Sequence, residues 1–252
     1  MRNCLIIALL IGSIALTGCC HYRIVQVTAS HIPVDQRADA IQDSTLTRFI
    51  EPYKVLAGKT ANEVIGYAEQ DMNPGYPGYP ESLLGNFFCD VMLAYSRQLS
   101  ANRVDFAVTN PDGLRKPILK GNITTGNIYE LMPFENTLAV LDLKGTDVQA
   151  LADSIASHQG GPVAGIRFGI KNNKAVNVMI EDKPLDTNAT YRVAANDYIA
   201  AGNDHFAALT KAVKAETFPE SLRNIIIDWI KQESAKGNKI NAALNERIYE
   251  EQ

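Results

Sequence analysis

Between Leu84 and Tyr95 the apolar residues Leu84, Phe87, Phe88, Val91, Met92 and Tyr95 recur at steps of three and four. That is the spacing of one helix face, and it predicts a helix over 81–99 that must bury a wide stripe against another layer. Gly85, Asn86 and Asp90 lie off the centre of that stripe. Residues 105–109, 138–143, 166–170, 176–180 and 191–195 read instead as strands, short and rich in β-branched residues. Helical spacing returns in Leu46, Phe49, Ile50, Tyr53 and Leu56, which predicts a helix over 44–56. It returns again after Pro219, in Leu222, Ile225, Ile226, Trp229 and Ile230. Helices and strands are interspersed without regular βαβ alternation, which favours the α+β class over a doubly wound sheet. No repeat of solenoid length is present.

Punctuation supports this order. Asn172-Asn173 reads as the turn of a hairpin. Thr146 and Gln149 have the spacing of a capping box, and Gly160-Gly161 a helix stop. Residues 73–80 repeat Pro-Gly-Tyr twice and read as a loop, whose tyrosines either cover a ligand or pack their rings on the surface.

The N-terminus has a different character. Arg2 precedes an apolar run from Cys4 to Leu16. The run is shorter than the ~20 residues that span a bilayer, but it suits the apolar core of a signal peptide. It ends in Leu16-Thr17-Gly18-Cys19, which resembles the lipobox of bacterial lipoproteins. On that resemblance residues 1–18 are a signal peptide, Cys19 is the lipidated residue, and residues 19–42 are a tether with at most a short strand. The alternatives are an ordinary secretory signal or a membrane span holding an accidental cysteine. Lipidation implies export and anchoring at the periplasmic or cell-surface face of a bacterial membrane, since several acyl chains on one cysteine hold stably where one is marginal.

Composition excludes some functions. The formal charge is −4, and no block of Lys and Arg offers a footprint for a nucleic-acid polymer. Of the four cysteines, Cys4 leaves with the signal, Cys20 sits beside the anchor, and Cys89 lies in an apolar helical stretch as a buried thiol. They form no disulfide framework.

Four loops hold residues that do not serve packing. Asn110 to Arg115 follows a strand, and its Gly and Arg either face an anion or make a solvent-facing turn. In Pro133-Phe134-Glu135-Asn136 an aromatic beside an amide can stack on a flat ring and bond its edge, or the Phe belongs to the core. Gly160-Gly161 to Gly165 lets backbone approach a ligand, or simply ends a helix and starts a strand. Asn196 to Phe206 places Tyr198 and, past Gly202, the carboxylate of Asp204, which suits two sugar hydroxyls or caps a turn.

Taken in order, Leu84-Gly85-Asn86 with Asp90, Asn110 with Gly113-Leu114-Arg115, Pro133 to Asn136, Gly165, and Asn196-Asp197-Tyr198 with Gly202-Asn203-Asp204 resemble the C-terminal, substrate-binding domain of 5'-nucleotidases. The likeness starts near Asp43 and places that domain at 43–252. It implies a mixed sheet flanked by helices. It implies that Phe134 and Tyr198 sandwich a base, Asn136 reads its edge and Asp204 holds the ribose hydroxyls, with Arg115 on the sugar and phosphate side and Gly165 lining the pocket. Three departures stand out. The family's arginine ahead of the helix motif is replaced by Tyr76 to Pro80, its double Gly before Ile-Arg reads Asp112-Gly113-Leu114, and its Gly-Gly-Asp-Gly reads Gly202-Asn203-Asp204-His205, where the bulky His205 ring either approaches a phosphate when charged or lies on the surface.

The family's hydrolysis resides in a separate metallophosphatase domain. Two-metal chemistry needs a cluster of His, Asp and Asn ligands. The four histidines, His21, His31, His158 and His205, form none of that domain's patterns. The reading therefore has no catalytic and no metal-binding residue, and no cofactor, in this chain. Divalent metals belong to a separate catalytic partner, and the helix over 44–56 resembles the interdomain helix of the fused enzymes. Three functions stay open: the nucleotide-recognition half of a split 5'-nucleotidase, a stand-alone nucleotide- or nucleoside-binding lipoprotein, and a degenerate structural module.

Overall fold

The computed structural model describes residues 26–30, 43–75 and 79–251. The signal segment, Cys19, most of the tether and the centre of the Pro-Gly-Tyr loop lie outside them. The chain divides between Ile50 and Glu51. Of the first unit, residues 26–30 have no regular structure and 43–50 begin helix α1 (Ser44–Ala61). That helix runs further than its apolar stripe predicts and has no buried residue.

The second unit is built on a five-stranded sheet. Its strands are β2 (Phe106–Val108), β4 (Thr137–Lys144), β5 (Val163–Ala164), β9 (Thr190–Asn196) and β10 (Lys214–Ser221), in the order β10-β4-β9-β2-β5. Only β2 and β9 run parallel; the other pairs are antiparallel. A two-stranded ladder joins β1 (Val64–Ala68) to β3 (Gly121–Thr124). A four-stranded sheet has the order β11-β6-β7-β8, from β6 (Ile166–Lys171), β7 (Lys174–Ile180), β8 (Lys183–Pro184) and β11 (Ile248–Glu250). Asn172 and Asn173, both with positive φ, turn the β6–β7 hairpin. The α+β reading, a mixed sheet with helices on it, describes what is found.

Both faces of the central sheet are covered. Side chains alternate along a strand, so Ala107, Leu138, Val140 and Ala194 enter one core with α2 (Leu83–Leu99) and α6 (Leu222–Ala235). Phe106, Val108, Leu141, Leu143, Val193 and Ala195 enter a second core with α4 (Gly145–Ser157) and the four-stranded sheet. This is why β2 and β9 read as unbroken apolar runs. The stripe of α2 is buried as its spacing predicts, with Leu84, Phe88, Val91 and Met92 almost wholly enclosed.

Gly85 and Asn86, off the stripe's centre in sequence, are also buried. Asn86 donates to Ala243 O at 2.8 Å and to Glu81 Oε2 at 3.0 Å. Arg247 grips both carboxylate oxygens of Asp90, at 2.8 and 2.7 Å, and donates to Val163 O at 2.8 Å. The helix motif is thus a clasp for the C-terminal segment, which brings β11 alongside β6.

Two local readings are corrected. Thr146 and Gln149 form no capping box: the Gln149 amide donates to Asp153 and to Ala175 O, and the capping position is Lys144. Pro219 does not open the last helix but lies within β10. A strand at the sheet edge tolerates a residue without an N–H, and Ser221 caps α6 by accepting from Asn224 N.

The start of α6 also shapes the loop that follows α3 (Thr125–Leu131). Leu222 N donates to Asn136 O at 2.8 Å. Arg223, only 5% exposed, donates through Nη1 to Met132 O at 3.2 Å and Phe134 O at 3.4 Å, and pairs with Glu135. Its guanidinium lies 4.1 Å over the Tyr129 ring. Removing the guanidinium leaves the buried Met132 carbonyl without this donor, whereas the Glu135 side chain is 76% exposed. Urea denaturation is expected to show Arg223→Met losing about 1–3 kcal/mol and Glu135→Ala less than about 1 kcal/mol. Equal losses would place the weight on the ion pair instead of the loop.

Candidate functional site

Strand direction gathers the site. Parallel β2 and β9 end at the same edge of the sheet, and antiparallel β4 begins there, with Leu138 opposite Asn196. Three loops converge on that edge: 110–115 after β2, 133–136 before β4, and 197–206 after β9. A crevice outside the carboxyl ends of parallel strands is a general place for a ligand, because loops there are free to vary while the sheet holds them.

The three loops enclose a cavity of about 280 Å³ lined by Asn110, Asp112, Gly113, Arg115, Phe134, Asn136, Tyr198 and Asp204. Five of the residues singled out in the sequence, Arg115, Phe134, Asn136, Tyr198 and Asp204, therefore share one wall-to-wall space. Phe134 and Tyr198 are each 43% exposed, and both line the cavity. Arg115 lies over the Phe134 ring at 6.0 Å, and its backbone N–H donates to Leu131 O at 2.8 Å.

Asp204 sits at the centre of a polar network. It has a positive φ of 55° just past Gly202, whose φ is +87°. Asn110 Nδ2 donates to Asp204 Oδ2 at 2.9 Å, and the Tyr198 hydroxyl donates to Oδ1 at 3.1 Å. Hydrogen bonding to that carboxylate, and its charge, hold the Tyr198 hydroxyl above the ordinary tyrosine range, so it stays a donor. A carboxylate has about four acceptor positions. Two are used, one on each oxygen, and the others remain for hydroxyl groups of a ligand. Thr137 Oγ1 donates to Asp197 Oδ2 at 3.0 Å and ties the loop before β4 to the loop after β9.

Gly165 does not join this cavity. It lines another, with Asp90, Arg167 and Arg247. The chain passes there from β5 in the central sheet to β6 in the four-stranded sheet. Gly165 makes that corner with a φ of +76°, and a Cβ would stand 2.5 Å from Asp105 O. The glycine answers a need of the backbone.

His205 does not line this cavity. Its ring stacks on His158 at 3.9 Å. Burial, and then the neighbouring His158, push it below the usual histidine range, so it is neutral near pH 7. Tyr79 of the Pro-Gly-Tyr loop lines a larger cavity of about 410 Å³ with Pro80, Asp112 and His158. Size alone would favour that cavity, but only Asp112 is common to both, and the aromatic, amide, guanidinium and carboxylate groups converge in the smaller one.

Asn110 and Asp112 line the site although the sequence assigned neither a binding role. Asn110 was visible as a polar residue ending an apolar strand. Among the described residues no group of three His, Cys, Asp or Glu could hold a metal ion. What the arrangement can do is bind: stack a flat ring, bond its edge through Asn136, and accept hydroxyls at Asp204, with a cation at one rim.

Known proteins resemble this chain in sequence and in fold. Residues 60–211 match the model of the 5'-nucleotidase, C-terminal domain family. The trifunctional nucleotide phosphoesterase protein YfkN of Bacillus subtilis is 30% identical over 88% of this chain and 16% of its own length. The endonuclease YhcR of the same organism is 31% identical over 70% of this chain and 14% of its own. The crystal structure of a 5'-nucleotidase precursor from Thermus thermophilus superposes with a TM-score of 0.70 at 29% identity, covering 85% of this chain and 45% of that one. This chain thus spans under a fifth of those two relatives and less than half of the solved protein. With the family's model matched across the cavity-bearing loops, and the fold shared with a solved 5'-nucleotidase, the chain belongs to the 5'-nucleotidase C-terminal domain family.

Proposed function

We propose that this chain is the nucleoside- and nucleotide-recognition half of a 5'-nucleotidase whose metal-dependent hydrolytic centre is carried by a separate metallophosphatase polypeptide. The observation that carries the reading is the meeting of Phe134, Tyr198, Asn136, Asp204 and Arg115 in one cavity. Phe134 and Tyr198 take the base between their faces, Asn136 bonds its edge, Asp204 accepts the ribose hydroxyls, and Arg115 faces the sugar and phosphate. Stacking contributes about 1–3 kcal/mol per base and tolerates different bases. On this reading the chain binds and orients the nucleotide while the partner supplies hydrolysis. Divalent metals act only in that partner, and a nucleic-acid polymer is not the substrate.

The same reading places the chain at a membrane. Cys19 bears the lipid, residues 1–18 are removed, and 19–42 tether the recognition domain at the periplasmic or cell-surface face. No described helix is long and apolar enough to cross a bilayer.

Three outcomes test this. A metallophosphatase polypeptide without a domain of this family should co-purify with the chain and release more phosphate from AMP in its presence. Neither association nor gain would sink the split-enzyme reading, and tight adenosine binding by the chain alone would then assign it to stand-alone capture. Phe134→Ala or Tyr198→Ala should weaken adenosine binding roughly 5- to 150-fold by calorimetry, the equivalent of that stacking. Cys19→Ser should abolish incorporation of an alkynyl palmitate and move the protein from the membrane to the soluble fraction; unchanged labelling would refute the anchor.

A further inference from the structure

Behind Asp204 lies a chain of side-chain amides whose polarity is fixed at its far end. Asn196 is 2% exposed, at the last position of β9. Its Oδ1 accepts from the backbone N–H of Ile199 at 2.8 Å, capping the short helix α5 (Asp197–Ala200). A backbone N–H can only donate, so the oxygen of Asn196 must face it. The Nδ2 group then points the other way and donates to Thr109 Oγ1 at 2.9 Å and to Asn110 Oδ1 at 3.0 Å. Asn110, 5% exposed, therefore has its oxygen toward Asn196 and its Nδ2 toward Asp204 Oδ2, at 2.9 Å. One backbone amide thus sets the orientation of two side-chain amides in series, and the second presents a donor to the carboxylate. The Tyr198 hydroxyl holds the other oxygen at 3.1 Å, and Asn203 Nδ2 fixes Tyr198 through its carbonyl at 2.8 Å.

We propose that Asn196 is a positioning residue for sugar recognition: it sets the amide of Asn110 so that the Asp204 carboxylate is held by a donor and aimed at the two hydroxyls of a ribose. This rests on the reading of Asp204 as the hydroxyl acceptor. Asn196 touches no ligand and acts through Asn110. An acceptor-only side chain at 196 reverses the chain. With Asn196→Asp the Ile199 N–H is still satisfied, and the Thr109 hydroxyl can rotate to donate. Asn110, however, must turn its Nδ2 toward residue 196, which sets its Oδ1 against Asp204 Oδ2, acceptor facing acceptor. Asp204 then swings away from its aim while Phe134, Tyr198 and Asn136 keep their places around the base.

The test compares adenosine with 2′,3′-dideoxyadenosine, which keeps the base and lacks both hydroxyls. In the unaltered protein adenosine should bind about tenfold tighter or more. In Asn196→Asp that advantage should shrink to within about threefold, with dideoxyadenosine affinity changed less than about twofold. Asn196→Ser, whose hydroxyl suits the helix cap but is too short to reach Asn110, removes the constraint without reversing it; it should lessen the advantage by less than Asn196→Asp does, again with dideoxyadenosine affinity changed less than about twofold, and it covers the event that a buried carboxylate impairs folding. Equal loss for both ligands would mark Asn196 as merely structural and overturn the proposal, as would an undiminished preference. Binding of neither ligand to the unaltered protein would overturn the cavity reading itself. A crystal structure of Asn196→Asp decides the positioning claim without a ligand: the Asn110 to Asp204 hydrogen bond should be lost, and its persistence at 2.9 Å with Asp204 unmoved would refute the relay.

Discussion

Everything at the site depends on the burial of both faces of the central sheet. With α2 and α6 on one side and α4 with the four-stranded sheet on the other, strands β2, β4 and β9 are fixed in position and direction. Each fully enclosed large apolar side chain there, such as Phe88 or Phe106, contributes about 1.5–3 kcal/mol relative to exposure. Because β2 and β9 run parallel and β4 against them, the ends of two strands and the beginning of a third meet at one edge. The loops at that edge are then free to serve chemistry while the sheet keeps them in place.

The edge is held by polar contacts that differ in kind from the core. Arg223 and the first turn of α6 fix the loop bearing Phe134 and Asn136. Asn196 and Asn110 fix the opposite side, around Asp204. Between them the rings of Phe134 and Tyr198 stay exposed, at the expense of apolar surface left in water. Tyr67, Tyr79 and Tyr129 are exposed as well, but Phe134 and Tyr198 line one cavity together.

Sequence spacing revealed the architecture wherever burial is one-sided or complete. The α2 stripe, the Asn172-Asn173 hairpin and the strand runs all lie where their periodicity places them. It misled where one residue type serves two purposes. Pro219 suits a helix start and an edge strand equally, and Gln149 had a better partner in Ala175 O than in a cap. The aromatic and charged members of the site were legible through the ordered loop motifs that contain them, since Phe134 alone reads equally as core. Gly165 was legible only as a glycine, and whether it meets a ligand or turns a corner depends on which sheet the next strand joins. Arg223 was invisible, since a buried arginine serving a loop far earlier in the chain leaves no local pattern. The two asparagines behind Asp204 could be read as motif members, but their roles follow from hydrogen-bond polarity that only coordinates reveal.

The proposed function stands or falls on whether one cavity recognises a nucleoside. The most direct measurement is a crystal structure of the protein with adenosine. The expected result is the base between Phe134 and Tyr198, its edge at Asn136 and the ribose hydroxyls on Asp204. Adenosine bound elsewhere while this cavity stays open, or no bound adenosine at millimolar concentration, would contradict it.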